Sequence, residues 1–331
     1  MHDRARRQAR LALGLLWLVP AMASVNYILA RKAVGVIGPH LLALGRWALV
    51  ALVLLVLAGP ELWRKRHAVA RVWWQFPVLG ALGMLVCGAW VYQGARSTQA
   101  MNIALIYAAA PVLIGLGAAI WLGERLSWRQ ATGVVLALAG VLHVVVKGQW
   151  NALSLVRFVP GDLWIVAATF SWAAYALLQK TWPSSLGATA RLAAICLGGV
   201  LVLLPFALWE LAQPGLTQWG MPAFWLILTT ALVPGLGAYW IYGWAQKILG
   251  ASRVAAALYL APLYGGLAAW MVLGETPGWH HLAGAALIVP GVFLVTGPAS
   301  GQTKAVVNSK IDHTVSPNDL RPEPRHEPTA R

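Results

Sequence analysis

Charge is scarce in this sequence. Asp, Glu, Lys and Arg make up 11% of the 331 residues, and only 10 residues are acidic. Hydrophobic residues make up 59%, and the mean hydropathy is +0.67. Soluble domains carry about 25% charged residues, so this composition excludes a soluble globular protein. It indicates an integral membrane protein whose solvent is lipid.

The sequence has only two cysteines, and its acidic residues lie mainly outside the apolar stretches. Cys87 and Cys196 both lie in apolar sequence, where a small buried thiol is favoured over a disulfide or a metal ligand. The acidic residues fall in loops, at helix ends or in the tails. Cation exporters and many proton-coupled carriers use an embedded carboxylate. The sequence therefore predicts uncharged or zwitterionic solutes and flux driven chiefly by the solute's own gradient.

Apolar stretches of the length that crosses a bilayer, about 20 residues, recur along the chain. They predict an all-α integral membrane protein with ten transmembrane helices. The predicted spans are 11–30, 39–58, 74–95, 100–122, 128–146, 161–180, 185–208, 222–244, 251–273 and 280–297.

The basic residues predict the orientation. If the arginine-rich start is cytoplasmic, 19 of the 25 Lys and Arg residues face the cytoplasm, five face the opposite side and Arg46 lies in a span. This bias places both termini in the cytoplasm of a bacterial-type inner membrane. The net charge of +15 is then a topology signal with affinity for anionic lipid headgroups, and no nucleic-acid partner is expected.

The chain contains an internal duplication. Residues 104–141 align without a gap with residues 255–292, and 14 of the 38 positions are identical, against about four expected from composition. Each copy contains five predicted spans, an odd number, so the second copy enters the membrane from the opposite face. This is an inverted repeat, which is typical of alternating access around a central cavity. The predicted segments are a cytoplasmic start (1–10), a first repeat (11–146), a connecting loop (147–160), a second repeat (161–297) and a disordered cytoplasmic tail (298–331).

Two prolines and two glutamates recur in the aligned segments. Pro111 and Pro262 lie near the middle of spans four and nine, where a proline removes a helix hydrogen bond. They are candidate hinges or simply tolerated kinks. Glu124 and Glu275 follow a glycine at the ends of the same spans, and capping of the following helix is favoured over substrate binding.

Two arginines lie inside predicted spans. Arg46 and Arg191 are each about 10 Å from the start of their span at the usual helical rise. Charge at that depth is costly unless it finds acceptors. Tethering to free carbonyls at a helix end is favoured, and holding a substrate carboxylate is the alternative.

Aromatic and small polar residues inside the spans are the candidate lining of a cavity. The tip of each buried tyrosine or tryptophan needs a partner or a wet space, although ordinary packing between helices is an equal alternative for any one of them. The candidates are Ser24, Asn26, Tyr27, Trp90, Asn102, Tyr107, Trp172, Tyr175, Tyr239 and Tyr259.

The five-plus-five arrangement, the mid-span prolines and the repeated Leu-Gly-Glu sequence resemble the EamA-type members of the drug/metabolite transporter superfamily over residues 10–297. The tryptophan-rich composition is most similar to the YddG-type exporters of aromatic and other apolar amino acids. The resemblance implies a central cavity built mainly by spans one, three, four, six, eight and nine, and export of small metabolites from the cytoplasm.

Several functional classes stay open at this point. The alternatives to amino-acid export are a broader drug/metabolite exporter, a membrane-embedded enzyme and a non-transporting scaffold. No enzyme activity, cofactor or metal is expected, because the acidic residues are scattered singly and no phosphate-binding glycine loop is present. Since one chain supplies both halves of the cavity, a monomer is expected to be sufficient.

The orientation can be tested by cysteine labelling. Cysteines introduced near Arg66 and Ser309 are expected to resist an impermeant thiol reagent added to intact cells, and a cysteine near Gln218 is expected to react. Labelling after permeabilisation checks that every site is reactive. Reaction of the position near Arg66 from outside would contradict the predicted orientation.

Overall fold

The computed structural model describes residues 2–123, 127–150, 159–182, 184–249 and 261–296. Regular secondary structure in these ranges is entirely helical, and the chain up to Thr296 forms one compact unit. The predicted tail (298–331) and most of the predicted connecting loop lie outside the described residues.

Within the described residues of the first half there are nine α-helices, and a π-helical segment, Ala81–Ala89, joins the fifth to the sixth. The helices are α1 (His2–Leu16), α2 (Leu18–Lys32), α3 (Pro39–Arg64), α4 (Arg66–Arg71), α5 (Gln75–Gly80), α6 (Trp90–Gly94), α7 (Ala100–Tyr107), α8 (Ala110–Leu122) and α9 (Trp128–Val145).

The second half follows a similar plan, with a π-helical segment, Ala231–Gly237, joining α12 to α13. Its helices are α10 (Pro160–Thr181), α11 (Ala188–Leu211), α12 (Met221–Thr230), α13 (Ala238–Leu249), α14 (Ala261–Leu273) and α15 (Trp279–Thr296).

The helices have the length and composition of membrane spans. Within the described residues, seven are long and apolar enough to cross a bilayer, and they coincide with predicted spans one to four and six to eight. Two shorter apolar helices lie at spans nine and ten, and α9 occupies the place of span five. The prediction of an all-helical membrane protein is confirmed, whereas the number of ten crossings stays a prediction.

The helix of span four is broken near its middle. It ends at Tyr107 and restarts at Ala110, which places Pro111 in the first turn of α8. A proline is well accommodated there, because the first-turn N–H groups have no partner within the helix. Pro262 lies in α14, next to the undescribed residues 250–260. Gly123 and Gly274, which follow these helices, adopt left-handed φ angles of 68° and 70°, a conformation that ends helices at little cost for glycine.

Helices α3 and α11 pack side by side in opposite directions and cap each other. The Glu210 carboxylate, near the end of α11, accepts hydrogen bonds at 2.9 Å from the backbone N–H groups of His40 and Leu41 in the first turn of α3. At the other end, Glu61 of α3 accepts a 2.8 Å bond from the Gly187 N–H at the start of α11. Glu61 and Glu210 are 149 positions apart, so the two caps are reciprocal.

Helices α9 and α15 make a second reciprocal contact through glycine. A Cβ atom at Gly140 would lie 2.9 Å from the Gly284 carbonyl oxygen, and one at Gly291 would lie 2.7 Å from the Gly133 carbonyl oxygen. Glycine at these positions lets the two backbones touch, which is how many helices associate in a membrane. Each glycine of one helix has its counterpart 151 positions away in the other.

The reciprocal caps predict unequal losses of stability. Glu210→Ala is expected to destabilise the protein by about 1–3 kcal/mol, because it leaves buried backbone donors unpaired. Glu61→Ala is expected to cost less, since the Glu61 side chain is 26% exposed against 4% for Glu210. The measurement is thermal unfolding of the purified variants in detergent. Equal melting temperatures for the Glu210 variant and the unmodified protein would contradict the capping role.

Candidate functional site

Five side chains meet where spans one, two, three and eight come together: Asn26, Arg46, Trp47, Tyr92 and Tyr239, here called the arginine cluster. Arg46 Nη1 donates to Asn26 Oδ1 at 2.8 Å and to the Tyr92 hydroxyl at 2.9 Å. The Tyr92 hydroxyl donates to Asn26 Oδ1 at 2.9 Å. The Trp47 ring lies 4.6 Å from Arg46 Cζ and meets the Tyr239 ring edge-on. A single positive charge is thus held among aromatic rings and neutral oxygens.

Arg46 differs from its predicted role. The sequence favoured a tether to free carbonyls at a helix end, but the acceptors of Arg46 are the side chains of Asn26 and Tyr92. That prediction is wrong for Arg46, which lies one helical turn further into its helix than Arg191 does and reaches side chains of α2 and α6. Arg46 is 5% exposed.

Arg191 makes the contacts that the sequence favoured for both arginines. Its Nη2 donates to the carbonyl oxygens of Gln179 and Trp182 at 3.2 and 2.8 Å, at the end of α10. The reciprocal caps pair residues that are 149 positions apart, so the counterpart of Arg46 is Ile195 rather than Arg191. The two arginines are therefore not equivalent.

Other candidate cavity residues form aromatic pairs beside the arginine cluster. The rings of Tyr27 and Tyr107 lie 6.2 Å apart, and the Tyr107 hydroxyl reaches the Cys87 carbonyl oxygen at 3.5 Å. Trp172 stacks on Tyr175 at 5.2 Å. Tyr107 is the last residue of α7, so this aromatic group adjoins the break in span four.

The remaining candidates make local contacts or lie outside the described residues. Ser24 is buried and donates to the Pro20 carbonyl within its own helix. Trp90 packs edge-on against Trp164. Tyr259 and Glu124 lie outside the described residues.

Asn102 belongs to a separate buried network with Thr98, Asp162 and His281, here called the aspartate cluster. Its amide donates to both Asp162 carboxylate oxygens at 3.1 and 3.3 Å, and Thr98 donates to the same carboxylate. The Asn102 amide oxygen can only accept, so His281 Nε2 carries the proton of the 2.9 Å bond between them. His281 Nδ1 accepts from the Gly278 N–H. The imidazole is therefore neutral and fully paired.

Asp162 is a buried acidic residue, which bears on whether transport depends on protons. It lies at a helix end, as expected, but in the first turn of α10 and fully buried. A buried carboxylate thus exists inside the bundle. The expectation of flux independent of protons no longer rests on the absence of such a group.

Glu275 caps a helix other than the expected one. Its carboxylate oxygens accept from the backbone N–H groups of Ala100 and Met101 at 3.0 and 3.1 Å, at the start of α7. The predicted capping of the following helix is wrong, because the His281 ring already occupies the Gly278 N–H at the start of α15. Arg31 lies 3.6 Å from the same carboxylate.

Two small clefts adjoin these groups. One, of about 90 Å³, is lined by Tyr92 and by residues around Gly38 and Arg96, at the end of the bundle that carries Glu275. We call this end the Glu275 end. The other, of about 40 Å³, is entirely apolar and lies beside the break at 108–109. Tyr92 therefore connects the first cleft to the arginine cluster.

Sequence reasoning missed several residues at these sites. Trp47, Thr98 and Glu210 gave no pattern that distinguishes them from other interfacial or loop residues. Tyr92 belongs to a Trp-Val-Tyr sequence that reappears near Tyr239 as Trp-Ile-Tyr. Asp162 falls inside the predicted span 161–180, so a strict comparison of span limits with acidic positions finds it.

Comparison with known proteins gives the family. The EamA-like transporter family matches residues 10–146 and, separately, residues 159–297. The chain belongs to this family. The family and the relatives described next are transporters rather than enzymes.

Bacterial relatives of this EamA protein include named amino-acid exporters. An uncharacterized transporter of Bacillus subtilis, YyaM, is 26% identical over 82% of this chain and 89% of its own length. A probable terminal-alkyne amino-acid exporter of Streptantibioticus cattleyicolor is 28% identical over 80% of this chain and 86% of its own. A probable amino-acid metabolite efflux pump of Salmonella typhimurium is 30% identical over 57% of this chain and 64% of its own.

A solved structure shares the fold of this EamA protein. A crystal structure of another protein superimposes with a TM-score of 0.57 at 20% identity, and it covers 87% of this chain and 96% of the other. The agreement extends over most of both chains. It supports the fold alone.

The aspartate cluster predicts a loss of stability on substitution. Asp162→Ala is expected to lower the free energy of unfolding by about 1–3 kcal/mol, because the Thr98 hydroxyl and the Asn102 amide lose their buried acceptor. Thr98→Ser, which keeps the hydroxyl, is the matched control and should be close to neutral. Thermal unfolding in detergent measures both, and an unchanged melting temperature for Asp162→Ala would contradict the network.

Proposed function

We propose that this EamA protein is an alternating-access exporter of small zwitterionic or neutral metabolites across the inner membrane, with aromatic and other apolar amino acids as its cargo. In this proposal, ten transmembrane helices form a five-plus-five inverted repeat around a central cavity, and both termini are cytoplasmic. One chain supplies both halves, so the monomer is the working unit.

The observation that carries the proposal is the exchange of roles between the two halves. If the halves are related by a two-fold axis in the membrane plane, every contact between them has a symmetry-related contact in which the two halves exchange roles. The caps made by Glu61 and Glu210 have this property, and so do the glycine contacts of α9 and α15. The two separate family matches, residues 10–146 and 159–297, support the same division.

The chemistry of the arginine cluster supports the choice of cargo. Arg46 supplies one positive charge, while Trp47, Tyr92 and Tyr239 supply apolar surface and weakly polar tips. This combination complements a solute with one carboxylate and an apolar side chain. The two relatives named as probable exporters of amino acids or their metabolites point to the same class.

Flux through the purified protein tests the proposal. Liposomes containing only this protein are expected to exchange labelled phenylalanine and leucine faster than protein-free liposomes, and to exclude lysine and glutamate. Exchange of unrelated drugs and metabolites at equal rates would favour a broader exporter. Absence of any solute-dependent flux would contradict the transport proposal.

The aromatic group predicts a change in selectivity. Tyr107→Ala is expected to change the relative rates of phenylalanine and leucine exchange by several-fold with little loss of protein abundance, because it removes a ring beside the break in span four. Tyr259→Ala is expected to act similarly from span nine. Trp240→Ala is the control, since Trp240 is 62% exposed on the outside of the bundle. Parallel loss of abundance and of all transport would instead indicate a packing role.

A further inference from the structure

Two buried donors in the arginine cluster have no acceptor within the described part of the chain: Arg46 Nε and Trp47 Nε1. Their residues are only 5% and 3% exposed. A buried N–H group without an acceptor is costly, and native proteins seldom keep one without a function. Two adjacent residues share this property, and both donors belong to the same cluster.

Glycine faces both donors. A Cβ atom at Gly88 would lie 3.3 Å from Trp47 Nε1, and a Cβ atom at Gly235 would lie 3.6 Å from Arg46 Nε. A larger side chain at either position would therefore occupy the space next to a donor. The two glycines come from different helical segments, and each brings a backbone without a side chain next to a donor; at Gly235 a Cβ atom would also lie 3.0 Å from Val50 Cγ2.

Both glycines lie in the π-helical segments. Gly88 belongs to Ala81–Ala89 and Gly235 to Ala231–Gly237, and these segments start 150 positions apart. Segments of π-helix are rare in proteins, and those that occur are often at functional sites. One π-helical segment from each half thus lies next to one of the two donors.

Among the residues that the structure describes, the charge of Arg46 has no anionic partner. Its acceptors are a neutral amide and a phenol, and the ion pairs found among the described residues involve other cations. The undescribed stretch 250–260 contains no Asp or Glu. A buried charge normally requires a counter-ion.

The fold itself does not require a charge at this place. At the corresponding positions of the second half, 149 residues later, the chain has Ile195 and Cys196 instead of Arg46 and Trp47. Ile195 is 1% exposed and Cys196 is fully buried. The same helical framework is therefore compatible with apolar residues at these two positions.

We infer that Arg46 Nε and Trp47 Nε1 form a binding site for the carboxylate of an apolar solute, at a place where Gly88 and Gly235 carry no side chain next to the donors. This inference deepens the proposed transport function and rests on it for the identity of the solute as cargo. One carboxylate that accepts from both the guanidinium Nε–H and the indole N–H would give each unpaired donor an acceptor. It would also neutralise the charge of Arg46. Tyr92 lines the cleft at the Glu275 end, so the site lies next to that cleft.

The test uses a probe that isolates the carboxylate. 3-Phenylpropionate and its neutral amide, 3-phenylpropanamide, are titrated into the purified full-length protein, and binding is followed by thermal stabilisation in detergent. The unmodified protein is expected to bind the acid at least about tenfold more tightly than the amide. Trp47→Phe removes the indole N–H but keeps an aromatic ring, and it is expected to weaken binding of the acid about tenfold while leaving the amide unchanged.

Matched variants separate the site from general effects. Trp240→Phe changes an exposed tryptophan and is expected to keep the preference for the acid. Arg46→Gln is expected to abolish that preference, and Trp47→Phe provides the same information with the charge intact if Arg46→Gln does not fold.

Two outcomes would overturn the inference: equal affinity of the unmodified protein for acid and amide, or an unchanged preference in Trp47→Phe. Either could occur while liposomes still exchange phenylalanine, so failure of the site and failure of the transport proposal are distinguishable.

Discussion

The structure depends on how the first backbone N–H groups of its membrane helices are satisfied. Lipid offers these groups no acceptor, and each unpaired group is costly. Three glutamates solve the problem across the bundle: Glu210 for α3, Glu61 for α11 and Glu275 for α7. Each carboxylate comes from a helix or loop that is distant in sequence from the helix it caps. Pairing of helix ends therefore also fixes which helices are neighbours, and the positions of the interior side chains follow from that arrangement.

Much of this fold could be predicted from the sequence because the lipid environment leaves a strong pattern. The apolar stretches marked helices that begin and end within a few residues of the observed ones, as at Pro39 and Ala100. The aligned copies identified Gly123 and Gly274, whose left-handed φ angles end two helices. These features depend on composition and local conformation, which the sequence records directly.

Side-chain partners were harder to predict, for a physical reason. Position along a span gives the depth of a residue, but not the direction in which it points or the neighbour it meets. Arg46 and Arg191 lie at similar distances from the starts of their predicted spans, but in the structure Arg191 is one helical turn closer to the start of its helix and meets different partners. Glu275 was expected to serve the next helix in sequence, yet α7 is its neighbour in space. Asp162 lies so near a span limit that the sequence alone did not indicate its burial.

The paired caps of α3 and α11 also limit the motions that these helices can make. At each end a carboxylate of one helix caps the other helix, so the two helices are held in a fixed register. Sliding of one helix along the other by a turn would break both caps at once and leave two carboxylates and three backbone N–H groups without these partners. Rotation and tilting of the pair as a unit leave the caps intact. The backbone is irregular elsewhere, at 108–109 and in the two π-helical segments, where a helix can bend without breaking either cap.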